Sequence, residues 1–519
     1  ILDNCEGVAA ACAALAEELL ASCLQLAILA TSRAPLGLAG EARWPLAPLE
    51  PEAAVQLFAE RAQDVIPGFQ LDERSAAAVE QICRRLDRLP LAIELAAARV
   101  DALSLEEISR RLDRPLDLSR DGTGGGRSQH RSLRSAMDWS FELLTRSEQT
   151  LFRRLAVFAG GWTLAAAEEV CAGEPGSVVD DLRGLVAKSL VVVEDLAGER
   201  RYRFLETVRE YAQEKLEASA EAAGARGRHL LWTAAVVARL APHLRGSEQL
   251  RAFAELELEH QNLVRALEWS IAGGRLDTGL AMAGQLWWFW FPCGHARLGS
   301  SLLKRLLEPR PAGQPDELRA AALEGLAVLS RDLGEVAVAA AAAEEAVDIR
   351  RRAGDPKLLA ESLVIAGWAC VFLGQLERAY TLWSENLALS EALGAAWNTA
   401  EASIDLGWLD AVRGDLAGAA ERLRRGVGTM RELGEDVYLA YGLFFSAYQA
   451  LFAGRCADAR AHLAESLEIY LALGGRRLME PALTVLAGVA AREGAPEMAL
   501  QLSGATDWLR SDLGLATFP

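Results

Sequence analysis

A forty-residue period in the second half of the chain is the feature that most constrains its fold. Two series of glycines follow this period, offset by twenty residues. A helix, a tight turn at the first glycine, a second helix and a longer turn at the second glycine account for this spacing. The two series are Gly334, Gly374, Gly414, Gly454 and Gly494, and Gly354, Gly394, Gly434, Gly474 and Gly514. The pattern predicts stacked helix pairs that share a continuous core.

Small residues accompany the first glycine series, seven residues before and five after each turn, where they would let paired helices approach closely. They are Ala327, Gly367, Gly407, Ala447 and Ala487 before the turns, and Ala339, Ala379, Ala419, Ala459 and Ala499 after them. The pattern resembles tetratricopeptide repeats, lengthened from their usual ~34 residues. Such a solenoid offers a concave surface to a peptide, a protein or a small inducer.

Aromatic residues in this half are candidates for that surface. Trp368 and Trp408 occupy the same repeat position and are candidate groove-lining residues for a partner; the alternative is that they pack in the core between repeats. Upstream, Trp287, Trp288 and Trp290 form a cluster that we interpret as core packing rather than a ligand cage, because tryptophan buries a large area.

Composition favours a mostly helical protein of about three or four domains, given 519 residues, 51% hydrophobic residues and 7% aromatic residues. The formal charge of −18 opposes nonspecific binding to nucleic acid. The eight cysteines have no C-x-x-C spacing and the six histidines no H-x-x-x-H spacing, which disfavours a disulfide framework and a metal motif. No signal peptide or membrane segment is recognisable, so the predicted location is the cytoplasm.

The first residues read as part of a nucleotide site. Asp3 ends an apolar segment and residues 26–30 form a second one, with a helical pattern between them, which is α/β order. A carboxylate at the end of a strand can hold Mg²⁺, and Arg33, at the tip of the second strand, is either a phosphate sensor or a solvated loop arginine. The chain has no Gly-Lys pair and hence no phosphate-binding loop. Since it does not begin with Met, we expect it to be part of a longer protein or an incomplete reading frame.

Three motifs carry a family resemblance: Leu-Asp-Asn-Cys-Glu from Leu2, Ala-Thr-Ser-Arg-x-Pro-Leu-Gly from Ala30, and Leu-Pro-Leu-Ala-Ile-Glu-Leu-Ala-Ala-Ala-Arg from Leu89. They resemble the back half of the NB-ARC ATPase of bacterial STAND-class regulators, including AfsR-like and LuxR-type proteins. The resemblance implies that Asp3 is the Walker B carboxylate, that Arg33 is the sensor arginine and that Pro90 packs near adenine in the ADP-bound form. Arg88 stands where this family usually has glycine.

The resemblance continues into the family's winged-helix domain, with Leu151–Trp162 and Leu205–Ala212 among the matching segments. Thr145 and Glu148 are spaced as a helix start. Residues 190–193 and 202–205 flank a predicted β-hairpin, the wing. In this family the module regulates the ATPase rather than reading bases, so we expect no direct DNA binding by this chain.

The sequence therefore predicts a mainly α protein. Its predicted parts are a truncated α/β NTPase remnant (1–48), a helical subdomain (49–118), a Gly-rich linker (119–130), a winged helix (131–228), a connecting helical region (229–300) and TPR-like repeats (301–519). The predicted function is the sensor part of a STAND-type signal-transduction ATPase, a transcriptional regulator in which a signal on the repeats and the ADP or ATP state control assembly. The alternative is a nucleotide-free scaffold for protein interaction. We expect no ATP hydrolysis by this chain alone, and binding of ADP or ATP with Mg²⁺ only where a P-loop is supplied.

Overall fold

The computed structural model describes residues 1–3, 5–23, 26–32, 35–44, 46–86, 88–112, 134, 137–171, 177–196, 198–309, 315–472 and 479–513. The chain forms two compact units, Ile1–Leu143 and Leu144–Pro519. Arg33 and the predicted linker over 119–130 lie outside the described residues. Within the described part of the chain, no helix is both long and apolar enough to cross a membrane.

The first unit is a small helical assembly with one short β-bridge. Its described helices are α1 (Ala9–Ser22), α2 (Pro51–Val65), α3 (Glu73–Arg85), α4 (Pro90–Ala97) and α5 (Leu105–Leu112), after a 3₁₀ helix over Cys5–Val8. Asp72 caps α3 by accepting a hydrogen bond from the Ser75 amide at 2.7 Å, and Pro90 stands at the first turn of α4 as predicted. Phe58, Ile82 and Ile93 fill its core and are fully buried.

The sequence predicts a buried strand over residues 26–30, and the structure does not contain one. Leu2 and Ala30 form a single parallel bridge, and the side chain of Leu29 is 64% exposed. Parallel strands are normally covered on both faces and flanked by further strands. Within the described residues the two segments pair only with each other, so the apolar side chains of the second segment are not covered.

The second unit begins with the winged helix. Its helices are α6 (Arg146–Leu155), α7 (Leu164–Cys171), α8 (Val178–Ala187) and α9 (Glu206–Glu217), and its strands are β1 (Trp162–Thr163), β2 (Val192–Leu196) and β3 (Glu199–Arg203). The strands form an antiparallel sheet in the order β1-β3-β2. The hairpin of β2 and β3 confirms the predicted wing, and a capping box of Thr145 and Glu148 begins α6.

Two long helices and a helical pair join the winged helix to the repeats. They are α10 (Ala222–Leu240), α11 (Gln249–Ala272), α12 (Leu276–Trp290) and α13 (Ala296–Leu307). The repeats follow as α14 (Asp316–Asp332), α15 (Val336–Ala353), α16 (Pro356–Phe372), α17 (Leu376–Ala392), α18 (Ala396–Val412), α19 (Leu416–Leu433), α20 (Asp436–Phe452), α21 (Cys456–Ala472), α22 (Met479–Arg492) and α23 (Pro496–Leu513).

The helix ends explain the glycine period. Gly334, Gly374, Gly414 and Gly454 all have φ between +73° and +90°, the left-handed conformation that ends helices and that residues with a Cβ rarely adopt. The small residues bring paired helices together, because a Cβ at Gly367 would lie 2.1 Å from Nε1 of the buried Trp383. The predicted helical repeats are therefore confirmed, and both the glycine turns and the small residues between paired helices have the roles that the sequence pattern predicts.

Candidate functional site

The sequence-predicted nucleotide residues lie in the first unit. Asp3 is exposed, and its carboxylate accepts a hydrogen bond from the Thr31 hydroxyl across the Leu2–Ala30 bridge. Pro90 is exposed at the start of α4. A carboxylate beside a hydroxyl offers the hard oxygen donors that Mg²⁺ prefers. The predicted role of Asp3 in holding Mg²⁺ stays a prediction, and the phosphate cradle is missing from the sequence.

Arg88, two residues before Pro90, adopts a left-handed backbone conformation that favours glycine. Its φ is +54°, in the left-handed region that costs a residue with a Cβ about 1–2 kcal/mol. The Arg88 amide donates to the Cys83 carbonyl at 2.9 Å and its carbonyl accepts from the Leu49 amide at 3.1 Å. These bonds hold the residue in the turn between α3 and α4.

The most elaborate concave site of the second unit lies on the inner face of the helical repeats. We call it the groove, and define it by the side chains that line it. These are Arg245, Trp287, Trp288, Phe291, Glu324, Val328, Arg331, Glu361, Val364, Ile365, Trp368, Glu401, Val437, Tyr438 and Tyr441. The interior space that water-sized spheres can enter is about 50 Å³. That is room for a few water molecules, which need ~10–15 Å³ each, so a larger ligand requires the groove to open.

Arg245 occupies the centre of this groove. It belongs to the loop 244–248 between α10 and α11, and its guanidinium carbon lies 4.1 Å from the ring centroid of Trp288 and 4.4 Å from that of Trp397. Its Nη1 is 3.2 Å from a carboxylate oxygen of Glu361. A guanidinium between two indole faces and beside a carboxylate is a strongly favourable cation site.

Glu435 holds the same loop against the repeats. Its carboxylate accepts hydrogen bonds from the Gly246 amide at 2.6 Å, from Gln249 Nε2 at 3.0 Å and from Trp397 Nε1 at 3.2 Å. Gly434 lies beside it with φ +65°, and a Cβ there would be 3.1 Å from Cβ of Ser247. The loop is therefore closely fitted to the start of α20.

Carboxyl groups outnumber arginines on the inner face of the repeats. Glu324 is paired with Arg350 at 3.0 Å and Glu361 with Arg245. Within the described residues, by contrast, Glu401 and Asp405 have no ion-pair partner, although both are buried. Trp368 Nε1 donates to Oδ2 of Asp405 at 3.2 Å, while Oδ1 of Asp405 has no hydrogen-bond partner. The groove is therefore aromatic and, within the described residues, is bordered by two buried carboxyl groups that have no ion-pair partner.

Burial raises the pKa of these carboxyl groups. The pKa of Glu401 rises to about 7, chiefly through desolvation, against hydrogen bonding by Tyr438 and the charge of Arg245. The pKa of Asp405 is raised well above its ordinary value by desolvation and by the neighbouring Glu401. Desolvation alone would lower the pKa of Arg245, but the charges of Glu361 and Glu401 raise it. Arg245 thus stays charged while Glu401 titrates near neutrality.

Trp368 and Trp408 lie on opposite sides of the groove wall. Trp368 lines the groove but is only 3% exposed. Trp408 is buried behind it in the core of the repeats, with ring centroids 5.4 Å apart. Trp287 and Trp288 of the upstream cluster also line the groove, whereas Trp290 is fully buried. Trp288 is half-buried and packs against Trp287, Tyr438 and Arg245 of this chain, which agrees with the interpretation of the cluster as core packing.

Sequence reasoning missed Arg245 and Glu435. The two residues are nearly two hundred positions apart, and the loop that carries Arg245 lies outside the repeat period. The repeat pattern contains one signal from which the acidic residues of the groove could have been predicted. Glu361 and Glu401 stand exactly one period apart, like Trp368 and Trp408, at positions seven before each tryptophan.

One helix, α11, contacts both the groove and the winged helix. At its start, Gln249 donates to Glu435 and its Oε1 accepts from the Val437 amide at 3.3 Å. Ten residues on, Glu259 pairs with Arg201 of the wing at 2.6 Å, and both are buried. Asn262 accepts from the Ala159 amide at 2.8 Å. Helix α11, within the predicted connecting region 229–300, thus links loop 244–248 to β3.

Comparisons with known proteins match the winged helix and longer parts of the chain. A family described as a winged helix-turn-helix domain matches residues 144–217. The chain is 42% identical over 438 residues to "Putative HTH-type transcriptional regulator Rv0890c" of Mycobacterium tuberculosis (strain ATCC 25618 / H37Rv), covering 82% of this chain and 49% of that protein. It is 41% identical over 260 residues to "Uncharacterized protein Rv0894" of the same strain, covering 48% and 62%. The chain therefore spans about half the length of the first of these homologues.

Solved structures give more distant matches. A STAND protein with a tetratricopeptide repeat sensor from Pyrococcus horikoshii matches with a TM-score of 0.33 and 14% identity, covering 92% of this chain and 75% of that one. A Rap protein complexed with competence and sporulation factor matches with a TM-score of 0.39 and 13% identity, covering 55% and 89%. Both TM-scores are too low to establish a shared fold.

Proposed function

We propose that this chain is the sensor and regulatory part of a STAND-type signal-transduction ATPase that acts as a transcriptional regulator. The observation that carries the proposal is the groove, a charged and aromatic site closed by a loop that leads directly into the helix holding the wing. Homology to an HTH-type regulator over most of the chain supports the regulatory role. In this proposal the repeats receive a signal and the winged helix passes it on.

The chemistry of the groove favours a cationic signal. Two tryptophans and Glu361 already form a cage around a guanidinium, and Glu401 and Asp405 add buried carboxyl groups without ion-pair partners in the described part of the chain. A peptide or protein segment that presents an arginine side chain, or a small inducer with a guanidinium group, matches this cage. Because the closed groove has little free volume, such a ligand would replace Arg245 rather than bind beside it.

Helix α11 would transmit that replacement. Its 24 residues span ~36 Å, with Gln249 at the groove and Glu259 and Asn262 at the winged helix. Release of loop 244–248 would remove the bonds that Glu435 makes to it and free the first turn of α11. The response is then a population shift between a closed and an open form.

Hydrogen exchange tests this transmission. We expect Arg245→Ala to accelerate exchange of the Gly246 and Val437 amides by roughly tenfold or more, and to accelerate Ala159 by a smaller factor through Asn262. Arg251→Ala, on the same helix but with an 83% exposed side chain, is the matched control and should change none of them. Acceleration at the groove with no change at Ala159 would refute the role of α11.

Nucleotide control of assembly is the second part of the proposal. Asp3 would hold Mg²⁺, with Arg33 as the sensor of phosphate and Pro90 near the adenine of ADP. ATP or ADP with Mg²⁺ would bind this region only where a phosphate-binding loop completes it. Direct DNA binding is not part of the proposal, because the first turn of α8 in the winged helix contains Asp180 and Asp181, whose charge repels phosphate.

Titration with labelled ADP and ATP in the presence of Mg²⁺ tests this part. Saturable binding that is lost in Asp3→Ala and weakened in Pro90→Ala is the expected result if the region forms a site. The single Leu2–Ala30 bridge among the described residues of the first unit favours a second candidate function, a nucleotide-free scaffold for a protein partner. Absence of binding both to this chain and to a longer chain that supplies the phosphate-binding loop, with the groove still functional, would support the scaffold.

A further inference from the structure

Three side chains with metal-binding atoms meet beside α11, outside the groove. Glu257 and His260 stand three residues apart on one face of α11, and His295 lies at the start of α13. One donor atom from each lies within 4.8 Å of the others. His295 Nε2 is 2.8 Å from Oε2 of Glu257, and the ring centroids of the two histidines are 3.9 Å apart.

The local fold fixes both imidazoles. Gly294, at φ +85°, reverses the chain after α12, and the His295 amide donates to the Trp290 carbonyl at 3.0 Å. The fully buried ring of Phe289 packs against both histidines, with centroids 5.7 Å from His260 and 5.3 Å from His295. The donors are thus held on a rigid turn and a helix rather than on mobile loops.

His260 also has a nitrogen without a hydrogen bond. Its Nε2 is shielded from solvent and has no hydrogen-bond partner among the described residues. A buried polar atom without a hydrogen bond destabilises the folded state, and coordination to a metal ion is one way to satisfy it. Stacking of two imidazoles alone gives no reason for a glutamate to face them.

We propose that Glu257, His260 and His295 form a binding site for a divalent transition metal, with zinc as the best-fitting ion. Two imidazole nitrogens and one carboxylate oxygen are common zinc ligands, and a water molecule completes the tetrahedron. Donors in such a site lie ~3.3 Å apart, so binding draws the three side chains together by up to ~1.5 Å. The side chain of Glu257 is 57% exposed, which gives it freedom to move.

The ion would fasten α11 to the turn between α12 and α13. Glu259, which pairs with Arg201 of the wing, lies between two of the ligands in sequence. A metal at this point would therefore stabilise the attachment of the winged helix. This site is independent of the cation cage in the groove, and either proposal can fail alone.

Titration of the full chain with Co²⁺, followed by its visible absorption, tests the site. We expect one saturable Co²⁺ per chain that Zn²⁺ displaces, with binding weakened at least tenfold in His260→Ala, in His295→Ala and in Glu257→Gln. His243→Ala, which removes an exposed imidazole, is the matched control and should bind like the wild type. Binding within twofold of the wild type in all three ligand variants, or a thiolate–cobalt absorption band, would overturn the proposal.

Thermal unfolding gives a second readout that does not depend on the His260 variant folding. Zn²⁺ bound only by the native state raises Tm. The rise should occur in the wild type and in His243→Ala and be lost in Glu257→Gln, whose side chain is mostly exposed. An equal rise in Glu257→Gln would exclude this glutamate as a ligand and contradict the site.

Discussion

The first unit and the helical repeats of the second unit were both predicted from sequence patterns. The repeats contain the helices that their pattern predicts, whereas the first unit lacks the buried strand predicted over residues 26–30. In the repeats, each helix packs against the next, and the same glycine turn recurs at Gly334, Gly374, Gly414 and Gly454. In residues 1–143, the two apolar segments near Asp3 and Ala30 form one bridge. A repeat supplies its own neighbours, whereas a parallel strand depends on strands and helices from elsewhere.

The same difference appears in a single backbone conformation. In the repeats the left-handed residue at each helix end that the structure describes is glycine, which adopts this conformation without strain. Between α3 and α4 of the first unit, Arg88 takes a similar conformation with a side chain. The repeats are thus locally consistent, and the first unit stores strain at a turn. The following variants test how far this contrast extends.

The largest expected effect is at Arg245. Arg245→Ala removes a guanidinium that stacks on Trp288 and Trp397 and leaves Glu361 without its ion pair. Although the arginine side chain is 26% exposed, we expect the free energy of unfolding to fall by about 4 kcal/mol. Urea denaturation measures it. Arg251→Ala, an exposed arginine of the same region, should change it by less than ~0.5 kcal/mol, and similar losses in the two variants would contradict the cage.

The next effect is the pH dependence that Glu401 gives the repeats. Its folded pKa of about 7 lies above the ordinary value of 4.5, so the folded state keeps a proton that the unfolded state loses. Stability is therefore greatest below pH ~4.5, falls as pH rises toward 7, and is constant above. This contribution is about 3 kcal/mol.

Glu401→Gln should remove that slope. The difference in unfolding free energy between variant and wild type, measured by urea denaturation at several pH values, should grow in favour of the variant from pH ~4.5 to 7. Glu377→Gln, which changes a carboxylate that is 88% exposed, should follow the wild-type curve. A parallel course for wild type and Glu401→Gln would show that Glu401 is already ionised at low pH.

Two glycines of the repeats should respond to substitution by alanine with opposite changes in the free energy of unfolding, both smaller than the effects above. Gly367→Ala places a Cβ against the indole of Trp383, which cannot shift freely because its Nε1 donates to the Val364 carbonyl at 3.1 Å. We expect a loss of about 2 kcal/mol. A Cβ at Gly428 meets nothing within 4 Å, so Gly428→Ala should instead gain about 0.5–1 kcal/mol from helix propensity. Thermal unfolding of the pair distinguishes packing from propensity, and equal signs would refute the close approach.

The smallest expected effect is a change in the stability of the first unit when Arg88 is replaced. Arg88→Gly relieves the left-handed strain and should stabilise the first unit by about 1 kcal/mol. Arg88→Ala keeps a Cβ in the same conformation and should give no gain, which makes it the control. Unfolding of the first unit followed by hydrogen exchange in α3 and α4 measures both. A gain in the alanine variant would mean that the arginine side chain, not the backbone, is the source of the cost.

The sequence was most informative where structure depends on residues close together in the chain. Helix ends, the wing hairpin and the capping box at Thr145 follow from local rules, and the repeats follow from a period. The groove was only partly predictable from the sequence, because Arg245 comes from one loop, whereas its partner Glu361 and the residues that hold this loop, Trp397 and Glu435, come from distant parts of the repeats. The proximity of Glu257, His260 and His295 was hidden for the same reason, since two helices and a turn bring them together.

The central claim is that the groove recognises a guanidinium cation and is held closed by Arg245, and chemical rescue tests it most directly. Arg245→Ala should leave a vacant cage, so millimolar methylguanidinium should raise the Tm of this variant in a saturable manner, while methylammonium does much less. The wild type and Arg251→Ala should show no such rise. Equal responses of Arg245→Ala and the wild type to methylguanidinium would contradict the account.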